Sequence, residues 1–122
     1  MVLNNYSYYL SLRGENLDEA LKYSRKSIEQ EPNNAIYLDT YAWILYRKGE
    51  IKKAGKYIEK AIEHGGSDDG DVVEHYGDIL FKLGKREEAL KQWKKSRDLG
   101  NASEAIRYKI NHKQLPPEDH EE

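Results

Sequence analysis

The chain has 122 residues, 38% hydrophobic and 34% charged, enough for one small domain with a sparing apolar core. Its 20 Lys and Arg against 22 Asp and Glu give a net charge of -2, so there is no bulk attraction to nucleic acid or to an acidic membrane, and the lack of cysteine excludes disulfides, thiol catalysis and Cys-ligated zinc. No apolar run approaches the roughly 20 residues that span a bilayer, and residues 1–5 lack the basic start of a secretory signal, so the chain as given reads as soluble, cytoplasmic by default, with its compartment left open.

Taken in chain order, the apolar positions fall at spacings of three and four, which predicts helices throughout and no strand. The first helix covers about residues 2–13 and ends at Gly14; the second covers 18–30 and stops at Pro32-Asn33-Asn34. Helices over 35–48 and 52–64 follow, the latter ended by Gly65-Gly66. Two more cover 71–83 and 87–99, and Gly100 stops the second of them. A seventh helix runs from Ala102 to about Gln114, with Asn101 or Ser103 placed to accept its first free N–H groups, and Pro116-Pro117 end it. Residues 118–122 are acidic and have no apolar anchor, which predicts a disordered tail.

These helices repeat. Tyr6, Leu10 and Gly14 recur as Tyr41, Leu45 and Gly49 and again as Tyr76, Leu80 and Gly84, each step being 35 residues. Ala20, Ala54 and Ala89 follow the three glycines, with one extra residue in the first of these turns. Small residues mark both helices of each unit: Ser7, Ala42 and Gly77 in the first, and Ala20/Ser27, Ala54/Ala61 and Ala89/Ser96 in the second. Small side chains let paired helices approach while larger ones interlock around them.

Over about residues 2–100 this pattern resembles the tetratricopeptide repeat family, with the best match in the middle unit: Leu38, Tyr41-Ala42, Leu45-Tyr46, Gly49, Ala54, Tyr57-Ile58 and Ala61-Ile62. It departs from the family where Leu3, Leu38 and Val73 replace the usual early Trp, where Pro survives only as Pro32, and where Ser24 replaces a large residue. The resemblance implies an all-α solenoid, a right-handed superhelix of three helix-turn-helix units over 1–33, 34–68 and 69–100, then a capping helix over 101–115 and a disordered acidic tail over 116–122.

Chemical motifs are sparse. His64, His75, His112 and His120 share no ligand spacing, and Glu74 and His75 point about 100° apart on a helix, so that pair cannot share a metal. The stretch Gly65-Gly66-Ser67-Asp68-Asp69-Gly70-Asp71 lacks the alternating acids and distal Glu of a calcium loop and reads as a helix stop followed by a capped start. Gly84-Lys85 is a turn, not a phosphate loop. Asn101-Ala102-Ser103 fits a glycosylation acceptor but has a capping role to fill. Lysines on the second helices, such as Lys52, Lys56, Lys60, Lys91, Lys94 and Lys95, read as a solvated outer face with acids interspersed.

The resemblance further implies that the first helices line a concave groove. The positions carried over are Asn4, Asn5, Tyr8 and Ser11; Ile36, Asp39, Thr40, Trp43, Tyr46 and Arg47; and Asp71, Glu74, His75, Asp78, Phe81 and Lys82. From them the expected peptide-binding set is Asn5, Tyr8, Asp39, Thr40, Trp43, Tyr46, Asp71, Glu74, His75 and Asp78, with Trp43 as anchor. The family's two-carboxylate clamp grips an acidic chaperone tail, but Asn4, Tyr8, Thr40, Asp71 and His75 stand at its positions here. Four acids, Asp39, Asp71, Glu74 and Asp78, beside aromatic rings instead predict a basic or amphipathic ligand. The expected function is therefore a non-catalytic protein-interaction scaffold without cofactor or metal. Its partner is a protein or peptide, with no small-molecule substrate, nucleic acid or membrane. The alternative is the C-terminal structural segment of a longer solenoid. The apolar first helix, with Tyr9 and Leu12, predicts cover by upstream repeats or by a second copy in a homodimer, and the seventh helix is expected to turn Glu104, Arg107, Lys109 and Asn111 to solvent as a polar cap.

Overall fold

A computed structural model describes residues 16–117. The predicted first helix, with Asn5 and Tyr8, and the acidic stretch 118–122 lie outside the described residues. Among the described residues the secondary structure is helical: α1 (Leu17–Gln30), α2 (Ala35–Arg47), α3 (Ile51–Glu63), a short 3-10 turn (Gly66–Asp68), α4 (Gly70–Lys82), α5 (Arg86–Asp98) and α6 (Glu104–His112). No helix among them is long and apolar enough to cross a membrane.

Local chemistry sets the ends. Asn34 caps α2 by accepting from the Tyr37 N–H at 3.0 Å, Asp69 caps α4 by accepting from Asp71 and Val72, and Ser103 caps α6 by accepting from Ile106 at 3.1 Å. Helices α2, α4 and α5 all finish the same way. Gly49 and Gly84 take φ of 86° and 87°, and the N–H groups of Glu50 and Lys85 reach back to the carbonyls of Leu45 and Leu80, each at 2.9 Å. Asn101 likewise reaches back to Ser96 at 3.2 Å. A side chain at such a φ would be strained, so glycine lets the chain reverse while satisfying carbonyls that the helix leaves free. The extra residue in the first turn is absorbed just before α1, where Asn16 sits at φ 51°.

The helices pack in chain order as antiparallel neighbours. The larger core cluster joins Leu38, Tyr41, Ala42 and Leu45 of α2 to Ala54, Ile58 and Ala61 of α3 and to Val72 and Ile79 of α4. A second cluster joins Leu80 of α4, Ala89 and Trp93 of α5 and Ile106 of α6. Along α2 and α4, Leu38, Tyr41, Leu45, Val73 and Leu80 are buried and Tyr76 is half-buried. Phe81, carried over as a groove position, packs instead against the second cluster, its ring 5.8 Å from that of Trp93.

The small position of the repeat has its sharpest role at Gly77. A Cβ there would lie 2.5 Å from the Trp93 indole and 3.2 Å from the Ala89 carbonyl oxygen, so glycine admits the fully buried ring. Gly77→Ala is expected to destabilise the fold by about 1 to 3 kcal/mol through overpacking, measured by denaturant unfolding. An unchanged midpoint would show that Trp93 yields without loss.

Candidate functional site

Residues of α2, α4 and α6 line one cavity, and the eight predicted groove residues that lie among the described ones meet different fates on this side. Trp43 is half-buried at its centre. Its indole stacks on the Tyr46 ring at 4.7 Å and 14°, and on the imidazole of His75 at 4.1 Å and 20°. Tyr46 and Trp43 lie three residues apart on one helical face, while His75 comes from the neighbouring repeat, so the three rings form a stack that bridges α2 and α4. Tyr46 also packs against the core cluster.

The carboxylates depart from expectation. Of the four acids predicted to face a ligand, only Asp71 is exposed; Asp39 and Asp78 are buried and Glu74 is half-buried. Asp39 Oδ1 lies 2.8 Å from Nδ1 of His75. Glu74 accepts from Lys109 Nζ at 2.6 Å and from Asn101 at 2.8 Å. The Asp78 carboxylate accepts from Lys109 at 3.0 Å and from the Trp93 indole N–H at 3.0 Å. Carboxylates buried in a small domain are retained where such partners replace water. Thr40, also predicted to face the groove, is buried and donates to the Ile36 carbonyl at 3.1 Å.

Lys109 is the residue of this network that sequence reasoning misplaced. Expected on the polar outer face of the capping helix, its side chain is 7% exposed and points inward between Glu74 and Asp78. A signal existed: Ile106, Lys109 and Ile110 fall at steps of three and four, which puts Lys109 on the apolar face of α6. The ammonium reaches carboxylates that have no other cation within bonding distance among the described residues, and that attraction turns the side chain inward.

The electrostatics follow from this burial. For Asp78, desolvation pushes the carboxyl pKa up, with Lys109 opposing. For Glu74, burial pushes the same way, but Lys109 and Asn101 outweigh it and hold the pKa below the usual value. Burial would lower the His75 pKa, yet Asp39, followed by Asp78 and Glu74, raises it overall. Beside this network a cavity of about 570 Å³ opens between Trp43, Tyr46, Arg47 and Lys82 on one side and Ala105, Leu115, Pro116 and Pro117 on the other, with Asp78 and Lys109 also in its lining. Pro116 and Pro117, assigned by sequence to the tail, thus form part of the cavity wall. Among the described residues no cluster of three or more His, Asp or Glu side chains could hold a metal ion.

The family described as anaphase-promoting complex, cyclosome, subunit 3 matches residues 14–110. A TPR repeat-containing protein of Methanocaldococcus jannaschii is 35% identical over 88 residues, covering 72% of this chain and 15% of that protein. The chain therefore spans under a sixth of that relative's length. Among solved structures, the first TPR of Spaghetti (RPAP3) bound to the HSP90 peptide SRMEEVD superposes with a TM-score of 0.80 at 20% identity, covering 92% of this chain and 87% of that one. The second TPR domain of human RPAP3 in complex with the HSP70 peptide SGPTIEEVD does so with a TM-score of 0.76 at 16% identity, covering 92% of each chain.

Two outcomes are expected from the network. Lys109→Ala should lower stability by about 3 to 5 kcal/mol near neutral pH, because it leaves buried carboxylates uncompensated; the loss should shrink in acid, where they protonate, and a pH-independent loss would argue against the ion pairs. Because the folded pKa of His75 is raised, its stabilisation is fully present below about pH 6.5 and lost as pH rises through the folded value. Unfolding free energy should fall over that rise, and His75→Gln should flatten the slope.

Proposed function

Since the chain belongs to the anaphase-promoting complex, cyclosome, subunit 3 family, a tetratricopeptide-type family, we propose that it is a non-catalytic interaction module that binds an amphipathic peptide or partner helix on its concave face. The observation that carries this reading is the aromatic stack of Tyr46, Trp43 and His75 beside an open cavity of about 570 Å³. A half-buried Trp held between two stacked rings loses little freedom when a ligand covers it, which suits it to anchor an apolar side chain.

The charge part of the expectation changes. Asp39, Glu74 and Asp78 already have internal partners, which leaves Asp71 as the exposed acid of the predicted set, while Lys82 and Arg47 line the opening. We therefore propose a ligand chosen by its apolar face, with little preference for a basic sequence. The HSP90 and HSP70 peptides of the two superposed structures are not carried over, because Thr40, Asp71 and His75 stand at clamp positions, two of them turned inward.

A second reading, a structural segment of a longer repeat array, is supported by the small share of the Methanocaldococcus jannaschii relative that the chain spans. Peptide titration separates the two. An amphipathic helical peptide is expected to bind with weak dependence on salt, and Trp43→Ala to cost about 2 kcal/mol of that affinity. Steep salt dependence with tighter binding of a Lys-rich peptide would restore the acidic-groove reading, and no binding by any peptide would favour the structural one.

A further inference from the structure

The cavity beside the aromatic stack carries a positive charge that its own carboxylate does not cancel. Four charged side chains line it: Arg47, Asp78, Lys82 and Lys109. Asp78 and Lys109 meet at 3.0 Å, and Lys109 also meets Glu74, so the charges at that end are paired internally. Lys82 differs from them. It is exposed, and it has no carboxylate within bonding distance among the described residues. Arg47 adds a second cation to the same lining, which leaves the cavity opposite in sign to the acidic groove that the sequence predicts. The two cations are also repeat equivalents. They stand 35 residues apart, each two residues before a turn glycine, so the repeat brings one to the last turn of α2 and the other to the last turn of α4. Trp43 precedes Arg47 by one helical turn and lines the same cavity, which sets a cationic rim next to an aromatic wall.

Resting on the reading of the concave face as a binding groove, we propose that this cavity is a subsite for a side-chain carboxylate. The partner segment is an acidic amphipathic helix that lays an apolar residue on the Trp43 side and presents a Glu or Asp, one turn away, to Lys82 and Arg47. One helical turn separates the ring from the cation on α2, and residues four apart on a partner helix have a matching spacing. Asp78 asks for no cation from the ligand, because Lys109 already meets it. Contacts between exposed charges are weak, so this one selects among amphipathic segments more than it strengthens binding, and it adds only a shallow dependence on salt. Arg47 also borders a neighbouring opening lined by Asp18 and Glu19, which makes Lys82 the cleaner reporter.

Calorimetric titration of the full chain tests this with three helical Ala-Gln peptides, blocked at both ends and each carrying one Leu. Four residues after the Leu, one peptide has Glu, its twins Gln or Lys. The Glu peptide should bind about fivefold more tightly than the Gln twin, and the Lys twin more weakly than either. Lys82→Gln should bring the Glu and Gln peptides close together, and Lys82→Glu should invert the order of Glu and Lys. Lys91→Glu makes the same charge change at an exposed site on α5, outside the cavity lining, and should leave the order as it was. A lysine in the last turn also suits the free carbonyls of a helix end; if that is its whole role, Lys82→Gln changes stability and not the order, which would overturn the subsite. An order inverted equally by Lys91→Glu would overturn it as an effect of net charge. Tighter binding of a Gln peptide that ends in a free Leu carboxylate than of the Glu peptide would overturn the side-chain occupant. Equal binding of all three blocked peptides, weakened by Trp43→Ala, would overturn the subsite and leave the groove reading standing, whereas no binding by any peptide would sink both.

Discussion

The position of the last three helices depends on satisfying one buried carboxylate. Asp78 lies at the centre of α4 with almost no access to water, and an ion held there without partners would cost several kcal/mol. Its partners come from two other elements, the Trp93 indole N–H of α5 and the Lys109 ammonium of α6. Meeting both demands fixes where α5 and α6 can lie against α4. Gly77, one residue before Asp78, then has no latitude: the indole reaches the carboxylate only by passing through the space a Cβ would fill. Glu74 extends the same junction to Asn101, which in turn donates to Ser96, while Ser96 donates to the Gly70 carbonyl. The polar contacts therefore close a loop from the start of α4 through the end of α5 to α6.

On the concave side the same network removes charge from the surface. Glu74 and Asp78 face Lys109, and Asp39 faces His75, so these three carboxylates are met by internal partners. His75 belongs to both systems, since it stacks on Trp43 and meets Asp39 through Nδ1. Its protonation therefore alters the charge against the Trp43 ring on which it stacks, as well as the local stability.

The architecture was legible because it is written in local periodicity. Small residues at the crossings and glycines at the turns act on near neighbours in sequence, and the 35-residue phase repeats them; among the described residues the helix limits agree with the expected ones to within about two residues. The site was less legible, for a physical reason visible at Lys109. Its partners Asp78 and Glu74 lie 31 and 35 residues away, and Asp39 and His75 are separated by 36. Spacing along one helix tells which side chains share a face; whether an acid on that face meets solvent or a cation from another helix is decided by packing between repeats. Asp39, Thr40 and Asp78 were assigned to the groove by position, and position alone does not distinguish a residue at the floor from one at the surface. Trp43 was identified as the central ring, whereas its stacking on His75 required both repeats in place.

The four central helices, α2 to α5, have 13 residues each, about 20 Å of rise. That uniform height gives these four helices a common length, and the differences between connections fall outside them, as in the residues 64–69 that join α3 to α4 and at the left-handed Asn16 before α1. Insertions and deletions that fall in the turns leave the vertical alignment of side chains between layers intact, while one inside a helix would rotate every later residue by about 100°. Lineages of such chains can then duplicate, lose or exchange entire layers as units, with variation in length confined to the bends that join them.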